Sequence, residues 1–141
     1  MDIEQFQSAS NEIIEKKIFL KSLEYADLRY DIIEEELHKL EDNFLSNYGD
    51  FLETILKEVH QKYCPDNQVL LPIAYFANNY TKKDNAYQLA PKEGVLVKTD
   101  VFTEKVGRMA FVTTPFRIVM QSLSKSEELE LWNIDHVTKT A

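Results

Sequence analysis

The residues able to do chemistry fall into three loose groups, none of which carries a full set of partners. Glu35 and His38 stand three apart, the spacing by which a helix offers a carboxylate and an imidazole to one iron of a di-iron centre. The other histidines, His60 and His136, have no glutamate three residues before them, so the resemblance to such a centre ends at one pair. His60 and Cys64 lie one helical turn apart with Asp66 nearby, a mixed N, S and O set that a transition metal accepts. A metal needs a complete ligand set and a supporting shell. Neither group has one, and the expectation is that no metal or other cofactor is bound.

The third group belongs to the second half of the chain. Lys98, Asp100 and Arg117 could converge among Tyr75, Tyr87 and Trp132 to form a polar site for a small ligand. The competing use is a set of cross-strand ion pairs on a solvated sheet face, the commoner role of such residues. A pocket between helix and sheet, lined by Tyr75, Phe102, Phe111 and Trp132, would favour the ligand. A filled interior would leave only surface function. The three glycines, Gly49, Gly94 and Gly107, cannot form a phosphate-cradling loop, and no HExxH, paired CxxC or GxSxG occurs. Nucleotide, zinc-hydrolase and α/β-hydrolase motifs are therefore missing.

The element that must position these groups runs from Ile32 to Cys64. Ile33, Leu37, Leu40, Phe44, Tyr48, Phe51, Ile55, Val59 and Tyr63 recur in steps of three and four, which only a helix places on one face. Leu45, Leu52 and Leu56 widen the stripe after Phe44, so the later half should lie deeper. Glu34, Glu35, Lys39, Glu41, Asp42, Glu53 and Glu58 occupy the opposite, solvated face. Gly49 interrupts the pattern, and Asp50 with Glu53 resembles a capping box. The apolar phase nevertheless passes through unshifted, which favours a continuous or merely kinked helix.

Such a helix is about 50 Å long, whereas a compact domain of 141 residues is about 37 Å across. The overhang would expose Ile33, Leu37 and Leu40 or bury them against a second copy, and a homodimer through the helical half is the expectation.

Before this helix, Ile3, Phe6, Ile13, Ile14, Ile18 and Phe19 recur in a helix-like way, with Ser8 or Ser10 capping a start near Asn11 and the helix running to about Ser22. Leu28, Tyr30 and Ile32 alternate like a strand while Leu23 and Tyr25 keep no helical phase. The stretch from Leu23 to Asp31 is read as the turn of a helical hairpin. Pro65 stops the long helix, and β-formers then dominate. Val69 to Asn78, which Pro72 makes an edge strand or one whose pairing starts at Ile73, is followed by a polar turn at Lys82 to Asn85, an extended run from Tyr87 to Ala90, and a strand from Gly94 to Thr103. Met109 to Thr113, Phe116 to Gln121 and Glu128 to Ile134 complete the set, with Thr114 and Pro115 offering a helical alternative for the second of these. The tail from His136 is expected to fray.

The predicted fold class is α+β, one domain over 1–141, with a helical half (1–64) laid on a mainly β half (65–141) whose four or five strands form an antiparallel meander. Charge divides the same way: 1–64 holds 15 acids and 7 bases, 65–141 holds nine of each. The helical half thus carries the whole net charge of −8, which disfavours nucleic acid and favours a basic partner. No apolar run reaches a membrane span and the first residues are acidic, so a cytoplasmic location is expected. Cys64 stands alone and forms no internal disulfide.

The leading functional expectation is a non-enzymatic protein that binds another protein or itself through its acidic helical half. The alternatives are a small-ligand-binding protein or enzyme with its pocket between helix and sheet, and an acidic inhibitor that mimics nucleic-acid charge.

Overall fold

The computed structural model describes residues 1–84, 86–124 and 127–139. Helix α1 spans Ile3–Ser22 and begins earlier than the serines suggested, because Asp2 caps it by accepting from the Gln5 N–H at 3.1 Å. Ser10 instead lies buried inside the helix, its hydroxyl donating to the Phe6 carbonyl. Phe6, Ser10, Ile13 and Ile14 turn inward at helical spacing.

Helix α2, Tyr30–Tyr63, is unbroken through Gly49. Its first half buries Leu37 and Phe44, and its second half buries Leu52, Ile55, Leu56, Val59 and His60, following the widening of the apolar stripe. The two helices run antiparallel: Phe6 meets Phe44 and Tyr48 with ring centroids 5.6 and 5.0 Å apart, while Lys16 pairs with Glu36 at 2.9 Å. The N-terminal half of α2 is therefore covered by α1 of the same chain.

The second half forms a four-stranded antiparallel meander, β3 (Val95–Lys98), β4 (Val106–Val112), β5 (Arg117–Gln121) and β6 (Glu128–Asn133), preceded by a two-stranded hairpin of β1 (Tyr80–Lys83) and β2 (Ala86–Leu89). Register places Val97 opposite Gly107, Met109 opposite Met120 and Phe111 opposite Ile118, so these residues share one face of the sheet. That face meets the helices through a chain of rings. Phe116 packs on Phe6 at 4.7 Å and on Phe111 at 4.9 Å, Phe76 joins Phe111 to Phe44, and Phe51 reaches Trp132 at 6.1 Å. Edge-on contacts of this kind add to the burial of the rings themselves.

Several local expectations are corrected. Val69 to Asn78 holds no strand; Pro72–Tyr75 form a turn of 3-10 helix, for which Pro72 at the first position supplies a preset φ. The strand predicted to Thr103 stops at Lys98, where Asn67 clamps it, accepting from the Lys98 N–H at 2.9 Å and donating to its carbonyl at 2.7 Å. Residues 117–121 are a strand, as alternation favoured. A short helix α3, Asp135–Lys139, occupies the start of the tail expected to fray. Asn85 of the expected polar turn, and Thr140 and Ala141 of that tail, lie outside the described residues.

Candidate functional site

The predicted polar site does not assemble. Lys98 and Asp100 line an open groove of about 760 Å³ at the C-terminal end of α2, together with Lys62, Tyr63, Asp66 and Lys105. Asp100 is paired there with Lys105 at 3.2 Å. Arg117 lies elsewhere: Lys98 is opposite Val106 and Arg117 opposite Val112, six residues along β4, which at strand rise is about 20 Å. The Arg117 guanidinium donates to the Pro115 carbonyl at 3.3 Å.

The aromatic members are structural in this geometry. Tyr87, buried, donates its hydroxyl to the Glu15 carboxylate and ties the β1–β2 hairpin to α1. Burial and then that carboxylate push its pKa up to about 12. Trp132 is half-buried against Phe51 and Phe116. Phe102 and Phe111 are core residues, and among the described residues the space around Tyr75, Phe111 and Phe116 between helices and sheet is occupied by rings.

Tyr75 is fully buried with its hydroxyl 2.8 Å from His60 Nε2 and accepting from the Leu70 N–H at 3.1 Å. The ring's tautomer sets which of Nε2 and the Tyr75 hydroxyl donates in this bond. Nδ1 is buried without a hydrogen-bond partner. Burial lowers the His60 pKa, with the backbone of Asn67 opposing the shift, so the neutral ring is favoured. Cys64, one turn on, is buried and its thiol is pushed up to about 11 by desolvation. Asp66 faces the open groove instead. Glu35 and His38 lie on the exposed face of α2, where Glu35 approaches Lys39 at 3.6 Å. Among the described residues no group of three metal-ligating side chains is drawn together.

The proposed interface residues are largely covered within the chain. Leu37 is 6% exposed, and Ile33 and Leu40 are half-buried beside α1. The first helix supplies the cover that the overhang argument assigned to a second copy. The apolar surplus appears instead at the end of the hairpin, where Leu28 is 93%, Tyr25 84%, Ile32 59% and Phe19 41% exposed.

This end has a defined local structure. The Asp27 carboxylate accepts from the Arg29 N–H at 2.8 Å and from its guanidinium at 3.2 and 3.0 Å, closing the turn before α2. Those hydrogen bonds hold the Asp27 carboxyl below its usual range and raise Arg29. Tyr25 packs on Tyr30 with centroids 5.2 Å apart, and the Arg29 guanidinium lies 5.9 Å over the Phe19 ring. Phe19 and Ile33 continue into a shallow groove of about 310 Å³ walled by Glu12, Glu15 and Lys16. Residues 19–39 hold six acids and three bases, so the apolar end has an acidic rim.

Sequence reasoning passed over this patch because Leu28 and Tyr25 were treated as turn residues. Their lack of helical phase was the available signal, since an apolar residue out of phase has no core to enter. It also missed Lys17, half-buried at the inner edge of α1, where the signal was a lysine three residues after Ile14 in the buried phase. Comparison of the chain with family models, curated proteins and solved structures returns no match. No helix among the described residues is long and apolar enough to cross a membrane.

Proposed function

We propose that this chain is a non-enzymatic interaction protein that docks a partner on the end of its helical hairpin. The supporting observation is the exposure of Leu28 and Tyr25 beside Ile32 and Phe19. At the areas typical of large side chains these four offer roughly 500 Å², near the upper end of the patches carried by ordinary monomers. With its polar rim, such a patch fits the centre of an interface of about 800 Å² per partner. The filled interior between helices and sheet supports surface function over a ligand pocket there.

Charge selects the partner. A basic protein segment, with an apolar anchor flanked by Lys or Arg, complements the six acids and three bases of residues 19–39. A second copy would bring two acidic rims together. The two occupants respond oppositely to salt, because screening weakens attraction to a basic partner and relieves repulsion in a homodimer. Mimicry of nucleic acid is less favoured, since Glu35 and Glu53 on the acidic face each have a lysine partner four residues on.

The test is affinity capture from the native cell with the wild type, Leu28→Asp, and Leu96→Asp as a control at an exposed sheet position. A basic protein retained by the wild type and the control, lost with Leu28→Asp and weakened by salt, is the expected result. Equal retention by all three would overturn the assignment, and a doubled mass by light scattering that grows with salt would replace it with self-association.

A further inference from the structure

Lys17 continues the buried stripe of α1 beyond Phe6, Ser10, Ile13 and Ile14, a phase that otherwise carries core residues. Its amine has no hydrogen bond or ion pair among the described residues. Two clefts meet at this side chain. One, of about 500 Å³, lies between the two helices and the segment 78–93 and is also lined by Lys21, Tyr25, Tyr30, Asn79 and Glu93. The other, of about 290 Å³, is lined by Glu41, Lys92 and Glu93.

The polar groups around the amine have distinct states. Glu93 is committed, its carboxylate accepting from the Asn78 and Asn79 N–H groups at 2.8 and 3.0 Å and from the Asn79 amide at 3.2 Å. Glu41 is half-buried and carries no hydrogen bond among the described residues. Lys21 follows Lys17 by one helical turn and lines the larger cleft; at this spacing the Cβ atoms are about 6 Å apart. Burial lowers the pKa of Lys17, with Glu41 and then Glu93 pulling it back. A desolvated amine is the arrangement that makes lysine a nucleophile toward carbonyl carbon, and Lys21 supplies a cation along the same cleft.

We propose that the larger cleft binds a small carbonyl compound bearing a carboxylate, an α-keto acid or an aldehyde acid, with Lys21 holding the carboxylate and Lys17 holding the carbonyl carbon as a reversible imine. The Lys17 ammonium gives one proton to solvent water in the open cleft, and the freed lone pair attacks the carbonyl carbon. A C–N bond forms, and the carbonyl oxygen takes one proton from the nitrogen and one back from solvent before leaving as water. Ammonium and carbonyl thus become protonated imine and water, with no oxidation or reduction. Glu93, its carboxylate held by three donors, lines both clefts beside the resulting cation. The site shares Tyr25 with the hairpin-end patch but uses none of Leu28, Ile32 or Phe19.

The experiment traps the imine in the full chain with glyoxylate and cyanoborohydride at neutral pH, the reductant fixing the adduct as a secondary amine that peptide mass mapping locates. Lys17 is expected to label roughly tenfold ahead of the other lysines. Acetaldehyde, which lacks the carboxylate, should lose that preference. Lys21→Met should reduce Lys17 labelling several-fold without changing the background, and Lys17→Arg should leave background alone. Equal labelling across the lysines of the wild type would overturn the site, as would a Lys17 preference that acetaldehyde reproduces and Lys21→Met does not reduce. A lysine that merely neutralises Glu41 and Glu93 across solvent gives the first of these results.

Discussion

Gly49 and Gly107 make opposite demands on an added methyl group, and the contrast tests both the long helix and the sheet that it covers. At Gly49 a Cβ would meet only Leu45 Cδ2, at 3.9 Å, an ordinary contact. Alanine is favoured over glycine inside a helix by about 1 kcal/mol, and nothing in the surroundings offsets that gain. At Gly107 the same carbon would lie 2.9 Å from Met120 Cγ, 3.0 Å from its Sδ and 3.0 Å from the edge of the Phe102 ring. Met120 is fully buried and Phe102 nearly so, so neither can step aside without displacing the core, and overpacking of this kind costs about 1–3 kcal/mol.

Urea unfolding reads both changes. With a slope near 2 kcal/mol/M, the midpoint of Gly49→Ala should rise by about 0.5 M and that of Gly107→Ala should fall by about 0.5–1.5 M, the slope being unchanged in each. Loss of stability in Gly49→Ala would mean that the helix breaks at this residue and that the chain needs its glycine freedom there. A neutral Gly107→Ala would mean that β4 and β5 are not paired as closely as the register of Met109 with Met120 requires.

Other expectations concern the buried polar groups. His60 is held neutral in the fold, its pKa lowered chiefly by burial, so the unfolded chain takes up a proton first as pH drops. The stability contribution is intact above pH ~6.5 and declines as pH falls below it toward the lower folded value, a decline that His60→Gln should abolish in pH-dependent unfolding curves. Tyr75→Phe removes the acceptor of the Leu70 N–H and the partner of His60, which should cost about 1–3 kcal/mol; an unchanged midpoint would show that the hydroxyl is not engaged. Cys64, buried with its thiol pushed up to about 11, should react with iodoacetamide at pH 8 only as fast as the chain unfolds, and rapid alkylation of the native protein would contradict its placement.

The parts legible in the sequence were those in which one physical term dominates. The long stripe from Ile33 to Tyr63 specified α2, because no other structure puts steps of three and four on one face. Alternation around Ile118 and Met120 outweighed the helix-start signal at Thr114 and Pro115, and β5 is the result. Where terms competed, local reading failed. Val69 to Asn78 has strand composition, but Pro72 and the anchored Tyr75 draw it into a 3-10 turn. The Lys98, Asp100 and Arg117 grouping rested on residue type alone, and only the register shows that β4 separates its members. The overhang holds only for α2 in isolation, whereas α1 lies alongside and covers Leu37. The hairpin end and Lys17 depend on which residues the other helix leaves uncovered, and periodicity within one element carries no such information.

The hairpin-end assignment is tested most directly by a photoreactive phenylalanine analogue placed at position 28 and, separately, at position 96, two exposed leucines on the hairpin end and the sheet. After irradiation in the native cell, position 28 is expected to yield a discrete adduct with a basic protein, suppressed by salt in the extract, while position 96 yields none. Equal adducts from both positions, or none from position 28 while the sheet position crosslinks, would contradict a docking surface at the end of the hairpin.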